Sequence, residues 1–145
     1  MFNKIILLIF TLSVSSVLFA DYSLDSNSDG ILDIWVEELE DNSIIISSDT
    51  NFDGNVDKKL AMNGAKLTLY EETDYNLDGI MDNFYFYEDG FVVRQEVDSN
   101  YDLKIDIWVY ITNDGKSISS YEKDLDFDGV VDKVKEFEVY KEDGK

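Results

Sequence analysis

Residues 74–82 have the sequence Asp74-Tyr-Asn-Leu-Asp-Gly-Ile-Met-Asp82, which follows the pattern D-x-[ND]-x-D-G-x-x-D. Four more segments follow the same pattern, at residues 25–33, 49–57, 98–106 and 124–132, and Leu103 in place of glycine is their one departure from it. Adjacent segments begin 24 to 26 residues apart. Five copies at near-constant spacing indicate a repeat protein in which each copy belongs to one supersecondary unit.

Two short β-prone stretches lie between consecutive copies. After the third copy, residues 83–87 (Asn-Phe-Tyr-Phe-Tyr) and 91–97 flank the pair Asp89-Gly90. Aromatic and β-branched residues favour strands, and Asp-Gly is a turn pair of tight hairpins. The equivalent turn places hold Asp41-Asn42, Asn63-Gly64 and Asn113-Asp-Gly115. Because turn signals interrupt the chain every seven to ten residues, we predict strands and not helices.

The sequence therefore predicts an all-β fold: an antiparallel meander of repeated β-hairpins, with about nine strands and all five aspartate loops along one edge. Residues 22–24, before the first loop, are too few for a full strand, and no return strand follows residues 143–145. Both faces of the middle strands are apolar. A flat single layer would leave large apolar patches exposed, so we expect the sheet to curl over or stack on itself.

The composition narrows the classes of function. A formal net charge of -20 disfavours nucleic acid as a partner, since phosphate binding needs clustered Lys and Arg. The chain has no Cys and no His. This excludes the usual zinc sites, disulfides and nucleophile–histidine pairs, so a metal site here must use hard oxygen ligands.

The N-terminal segment predicts export. Lys4 precedes an apolar stretch from Ile5 to Phe19, and Ala20 is small enough to precede a cleavage site. The alternative is an uncleaved anchor, but this stretch is shorter than the roughly 20 residues that span a bilayer. We predict a signal peptide at residues 1–20 and a five-repeat array at residues 21–145. The protein would be secreted, periplasmic or at the cell surface, with no membrane span after cleavage.

The loop pattern supplies the oxygen ligands that calcium prefers, six to eight per ion. Side chains at loop positions 1, 3, 5 and 9 and the backbone carbonyl of position 7 are the candidate ligands, and glycine at position 6 permits a sharp turn. Polar turns use the same residue types, but a turn needs only one or two of them. We predict up to five Ca²⁺ ions, with these ligands: Asp25, Asn27, Asp29, Ile31 and Asp33; Asp49, Asn51, Asp53, Asn55 and Asp57; Asp74, Asn76, Asp78, Ile80 and Asp82; Asp98, Asn100, Asp102, Lys104 and Asp106; Asp124, Asp126, Asp128, Val130 and Asp132.

The five sites are not expected to be equal. Leu103 replaces glycine in the fourth loop, where left-handed backbone geometry strains a residue that has a Cβ, so this should be the weakest interior site. Asp126 gives the fifth loop a fourth acidic ligand, which should make it the tightest.

These loops resemble the first nine positions of EF-hand calcium loops and the calcium loops of integrin α-subunit propellers. The twelfth position, which is Glu in an EF-hand, is here Val36, Leu60, Tyr85, Val109 or Lys135. The integrin-like loop is the closer match, because it lies between strands and ends in Asp at position 9. The whole sequence is also similar to tandem D-x-[ND]-x-D-G repeat proteins of bacterial surfaces. That resemblance implies calcium binding and no specific activity.

Three functions follow from these observations. In the first, calcium rigidifies an exported β array that has a structural or surface-interaction role, with a protein or carbohydrate as partner. In the second, the array is a low-affinity calcium buffer whose fold does not need the metal. The third is a glycosidase with paired carboxylates. We expect a protein that is not an enzyme, because nothing in the sequence selects a catalytic pair.

Overall fold

The computed structural model describes residues 21–138, so the predicted signal peptide at 1–20 and the segment 139–145 lie outside the described residues. Ten antiparallel strands form one open sheet whose spatial order is the sequence order. Residues 21–138 contain no helix long and apolar enough to span a bilayer. The strands are β1 (Tyr22–Leu24), β2 (Ile34–Glu38), β3 (Ile44–Ser48), β4 (Lys58–Met62), β5 (Thr68–Thr73), β6 (Asn83–Glu88), β7 (Phe91–Val97), β8 (Ile107–Ile111), β9 (Ile118–Lys123) and β10 (Lys133–Glu136).

This architecture confirms the predicted all-β meander and adds a tenth strand. The extra strand is β1, in which Tyr22 pairs with Val36 and Leu24 with Ile34. The N–H of Asp33 donates to the carbonyl of Leu24 at 2.9 Å, so the first loop closes like the others and holds β1 beside β2. Because the chain reverses at every connection, the five aspartate loops share one edge of the sheet and the hairpin turns share the other.

The sheet does not fold back on itself. Within residues 21–138 each strand contacts only the strands beside it. The expectation of a curled or stacked sheet is therefore wrong for this part of the chain. Hydrophobic patterning showed that both faces were apolar, but it carried no information about a second layer to cover them.

Cross-strand pairing assigns the strand residues to two faces. Val36, Ile46 and Leu60 lie in one continuous row across β2, β3 and β4. We call their side of the sheet the aliphatic face, after the aliphatic side chains that line it on β2–β4 and on β8: Ile34, Val36, Ile44, Ile46, Leu60, Met62, Ile107, Val109 and Ile111. Between these two patches, β5–β7 add polar and aromatic residues to the same face, namely Glu71, Thr73, Asn83, Tyr85 and Gln95. The opposite side is the aromatic face, and it carries Trp35, Tyr70, Phe84, Phe86, Trp108 and Tyr110.

The most buried side chains are polar. Among the described residues only Val36 and Ala61 are buried apolar residues. The buried polar side chains, apart from Asn83, all occupy the first or ninth position of a loop: Asp33, Asp49, Asp57, Asp74, Asp82, Asp98, Asp106 and Asp124. Burying carboxylates is unfavourable unless their charge and their hydrogen-bonding capacity are satisfied. Burial in this part of the chain is therefore concentrated at the aspartate loops, and not in an apolar core.

One hairpin turn differs from the sequence expectation. Asn63-Gly64 was expected to supply the left-handed residue of the second repeat, but Lys66 has the positive φ of 63°. The Asn63 side chain accepts hydrogen bonds from the N–H groups of Ala65 and Leu67, at 2.9 and 3.0 Å. This capping moves the reversal two residues along the chain.

Asn83 yields a stability prediction. Its side chain is fully buried, its Oδ1 accepts from Gln95 Nε2 at 2.7 Å, and its Nδ2 has no hydrogen-bond partner among the described residues. Ile107 holds the equivalent place in the next repeat. We expect Asn83→Ile to raise the free energy of unfolding by about 1–2 kcal/mol, because an unsatisfied buried amide is removed. Urea unfolding measures this, with the reciprocal Ile107→Asn as the destabilising control. A loss of stability in Asn83→Ile would show that the amide is satisfied.

Candidate metal sites

The first aspartate of each loop organises the backbone around itself. In the third loop, Asp74 Oδ1 accepts from the N–H of Leu77 and Oδ2 accepts from the N–H of Gly79, both at 2.7 Å. The same two bonds recur in all five loops. They turn the backbone of positions 4 to 6 inward over the carboxylate, so position 1 is both a candidate ligand and the loop's structural anchor.

The ninth aspartate closes the loop from the other side. Its Oδ2 accepts from the N–H of position 2 in every loop, at 2.6 to 2.9 Å. In three loops a hydroxyl at position 2 donates to the same carboxylate: Ser26, Thr50 and Ser99. Sequence reasoning missed these hydroxyls, although their recurrence at position 2 was a visible signal.

Positions 3, 5 and 7 form the outer side of the loop. In the third loop Asn76 Oδ1 accepts from the N–H of Asp78 at 3.0 Å, and Asn76 Nδ2 donates to Asp78 Oδ2 at 2.9 Å. Asp78 Oδ1 in turn accepts from the N–H of Ile80 at 2.9 Å. The last of these bonds recurs in every loop. Position 7 is thus held inside the loop by its N–H, and the role of its carbonyl as a ligand stays a prediction.

Three loops bring acidic oxygens close together. Carboxylate oxygens lie within 4.8 Å of one another in each of three groups: Asp25, Asp29 and Asp33; Asp49, Asp53 and Asp57; Asp124, Asp126 and Asp128. Among residues 21–138, the third and fourth loops bring no such acidic triplet together. The predicted ligands of these two loops make the same hydrogen bonds as those of the other loops, but three of their carboxylates do not come together. In the fifth loop the triplet uses positions 1, 3 and 5, so Asp132 stands outside it.

One oxygen in the second loop lacks a partner. Asp57 is 2% exposed, and its Oδ1 has no hydrogen-bond partner among residues 21–138, whereas its Oδ2 accepts from Thr50 and Asn51. Asp57 also belongs to the second triplet. A buried carboxylate oxygen without a proton donor, beside two more carboxylates, is chemically suited to a cation.

Local charge and burial shift the pKa of several loop carboxyls. The negative charge of Asp128 raises the pKa of Asp126, with burial adding to it. Burial raises the pKa of Asp82 even though the N–H groups of Tyr75 and Asn76 donate to it. Burial also raises the pKa of Asp33, but hydrogen bonds from Ser26 and Asn27 outweigh it, and the net pKa is lowered. Backbone N–H groups therefore support some loop charges, while acid–acid repulsion opposes others.

Adjacent loops are joined through their backbones. The N–H of Asp49 donates to the carbonyl of Asp33 at 2.8 Å, and Asp74 donates to Asp57 at the same distance. The next two loops are joined in the same way. The N–H of Asp98 donates to the carbonyl of Asp82 at 2.8 Å, and the N–H of Asp124 donates to the carbonyl of Asp106 at 2.9 Å. Each first aspartate thus lies beside the ninth aspartate of the preceding loop. Only the outer residues Asp25 and Asp132 lack this neighbour, and neither is buried.

The fourth loop has the backbone strain that its sequence predicted. Leu103 has φ 73°, close to the 90–95° of the glycines at the same position in the other loops. Four loops also place a bulky residue at positive φ in position 4, which the sequence did not reveal: Phe52, Leu77, Tyr101 and Phe127.

Leu103→Gly should therefore strengthen the fourth loop. Leu103 is 69% exposed, so its removal costs little packing, and relief of the left-handed strain is worth about 1 kcal/mol. We expect roughly a fivefold gain in metal affinity at this loop, measured by titration calorimetry. Leu103→Ala is the matched control, because it shortens the side chain but keeps the strained Cβ. An equal gain in both variants would assign the effect to loss of the exposed leucine.

No protein-family model matches this chain, and no curated protein matches it significantly. What the structure establishes is an all-β sheet whose loops contain repeated, acidic, metal-binding-capable clusters.

Proposed function

We propose that the aspartate loops bind Ca²⁺ and that the bound ions hold an exported β array rigid, for a structural or surface-interaction role. The observation that supports this most directly is made at Asp57, whose buried Oδ1 has no hydrogen-bond partner among residues 21–138 and which belongs to a triplet of close aspartates. A cation at that point supplies the missing partner and removes the repulsion within the triplet.

The ligand chemistry favours calcium over other metals. The loops offer only oxygen atoms, from carboxylates, amides and backbone carbonyls, and the chain has no Cys or His. Calcium accepts six to eight such oxygens in an irregular shell, whereas magnesium keeps several waters and binds few protein carboxylates. Five calcium ions would also cancel half of the formal net charge of -20.

The proposed structural role follows from where burial occurs. An array of this size normally rests on an apolar core, but only two apolar side chains are buried among residues 21–138. Apart from Asn83, the buried polar side chains among residues 21–138 are loop aspartates, and metal binding to a native loop contributes directly to folding. Calcium would thus act where an apolar core acts in other folds. The aromatic face would then be available to a protein or carbohydrate partner at the cell surface.

A second candidate is the low-affinity calcium buffer. Backbone N–H groups already donate to the first and ninth aspartates of every loop, which supports loop geometry that persists without metal. The two functions differ in what chelation does to the sheet.

Calcium stoichiometry tests the binding that both candidates share. We expect equilibrium dialysis to give up to five ions per chain, with dissociation constants of about 10⁻⁴ to 10⁻³ M, as in extracellular modules. Magnesium at the same concentration and ionic strength is the control, and it should compete weakly. Less than one bound calcium per chain at 10 mM free calcium, about ten times the weakest of those constants, would overturn the proposal.

A further inference from the structure

The aliphatic face has no second layer among the described residues. Its row Val36, Ile46 and Leu60 runs across three adjacent strands, and Ile107, Val109 and Ile111 line it on β8. Sheets with an apolar face are stable when that face packs on another sheet or on helices. Branched aliphatic residues on a sheet face are typical of the inside of a two-layer sandwich.

Charge distinguishes the two faces. On the aromatic face, acidic side chains outnumber basic ones. The acids are Glu37, Glu72, Glu88, Glu96, Glu122 and Glu136, and the bases are Lys59 and Arg94. The aliphatic face has the opposite balance, with Lys58, Lys123, Lys133 and Lys135 against Glu38 and Glu71. Two copies of a chain with a net charge of -20 would repel each other through most surfaces. The aliphatic face is the one that they can share with the least acid–acid repulsion.

The charged side chains in the middle of the aliphatic face form an ion pair with each other. Lys58 Nζ lies 2.7 Å from Glu71 Oε1, so this pair brings no net charge to the middle of the face. The remaining lysines, Lys123, Lys133 and Lys135, lie on the last two strands at one end of the sheet. The aliphatic patches on β2–β4 and on β8 are thus free of unpaired charge at their centres.

The size of the face fits a protein dimer. Ten strands at about 4.8 Å spacing and five residues at about 3.3 Å rise give a whole face of about 800 Å², made up of the two aliphatic patches, the more polar stretch on β5–β7 and the lysines of β9 and β10. A standard stable interface buries about 800 Å² on each partner. We propose that the aliphatic face binds a second copy of this chain, face to face, to form a two-layer sandwich with the aromatic faces outward. None of the predicted metal ligands of the five loops lies on the strands of this face, so dimer formation and metal binding are tested by separate measurements.

Sedimentation equilibrium of the protein expressed from the full 145-residue sequence tests the proposal, in calcium and at micromolar to about 100 µM concentrations, where interfaces of this size associate. We expect a monomer–dimer equilibrium with the dimer dominant at the upper end. A monomer at every concentration would overturn it. That result would leave the face to a different occupant, either another protein or a part of this chain outside residues 21–138.

Adjacent residues on β3 provide a matched pair of variants. Ile46 lies on the aliphatic face and Ile45 on the aromatic face, paired with Glu37 and Ala61. We expect Ile46→Glu to weaken the dimer at least about 100-fold, because it buries an unpaired charge in each copy. Ile45→Glu should change the dimer dissociation constant by less than about threefold, as expected for a residue outside the interface.

A milder pair covers the case in which Ile46→Glu fails to fold. Val109→Gln on the aliphatic face and Tyr110→Gln on the aromatic face give the same comparison on β8. Circular dichroism in the same buffer confirms that each variant keeps its sheet. Equal effects from the two faces, in whichever pair folds, would overturn the assignment.

Discussion

Removal of calcium should unfold this protein or leave it only loosely folded at 25 °C. At a free calcium concentration one hundred times the dissociation constant, each occupied loop adds about 2.7 kcal/mol to the free energy of unfolding. Five loops together would contribute on the order of 10 kcal/mol, which equals the total stability of a typical domain. Within one copy of the sheet, residues 21–138 bury only two apolar side chains, which leaves little else to replace this contribution.

Thermal unfolding followed by circular dichroism measures this effect, in EDTA and at several calcium concentrations. We expect the midpoint in 10 mM calcium to exceed that in EDTA by about 20 °C or more, given a few degrees per kcal/mol for a chain of this size. Magnesium at matched ionic strength controls for general screening of the acidic surface. An equal midpoint in EDTA and in calcium would show that the fold does not need the metal. The low-affinity calcium buffer would then replace the structural role as the proposed function.

The strands and loops were predictable because the repeat constrains them locally. An Asp-rich pattern every 24 to 26 residues, with β-prone stretches and turn pairs between copies, leaves few topologies other than a meander. The glycine position in each loop also identified Leu103 as a strained residue, and its φ of 73° confirms it. The short strand β1 was harder to predict, because three residues have no stability alone and form a strand only against the edge of β2.

Other features depend on tertiary packing, which hydrophobic periodicity does not encode. The pattern showed two apolar faces, and nothing in it distinguished a stacked sheet from an open one. The bulky residues at loop position 4 would not be assigned positive φ from their type, because the conformation is imposed by the bond from their N–H to the first aspartate. Phe52 and Tyr101 are examples, with φ 65° and 63°.

Asp57→Asn should change stability with opposite signs in calcium and in EDTA. Asparagine has nearly the same volume, and its Oδ1 can keep the bonds that Asp57 now receives from the N–H groups of Thr50 and Asn51, at 2.6 and 3.0 Å. In calcium the second loop loses a charged ligand, and we expect a loss of about 2–3 kcal/mol, the contribution of one saturated site. In EDTA the variant removes one of three close carboxylates, so the reduced repulsion should make it slightly more stable than the wild type.

Urea unfolding in calcium, and in EDTA with enough sucrose or trimethylamine oxide to restore the sheet, gives the two stabilities. Asp41→Asn is the matched control. Asp41 lies in a turn at the opposite edge of the sheet, where its Oδ1 accepts from the N–H of Ser43 at 2.9 Å, so the variant makes the same charge change outside the loops. We expect its effect to be small and equal in both conditions. If Asp57→Asn lost the same stability with and without calcium, Asp57 would act through its hydrogen bonds alone, and the second loop would not be a calcium site. A change of sign specific to Asp57 is the result that only a bound cation produces, because hydrogen bonding and net charge are the same in the two buffers.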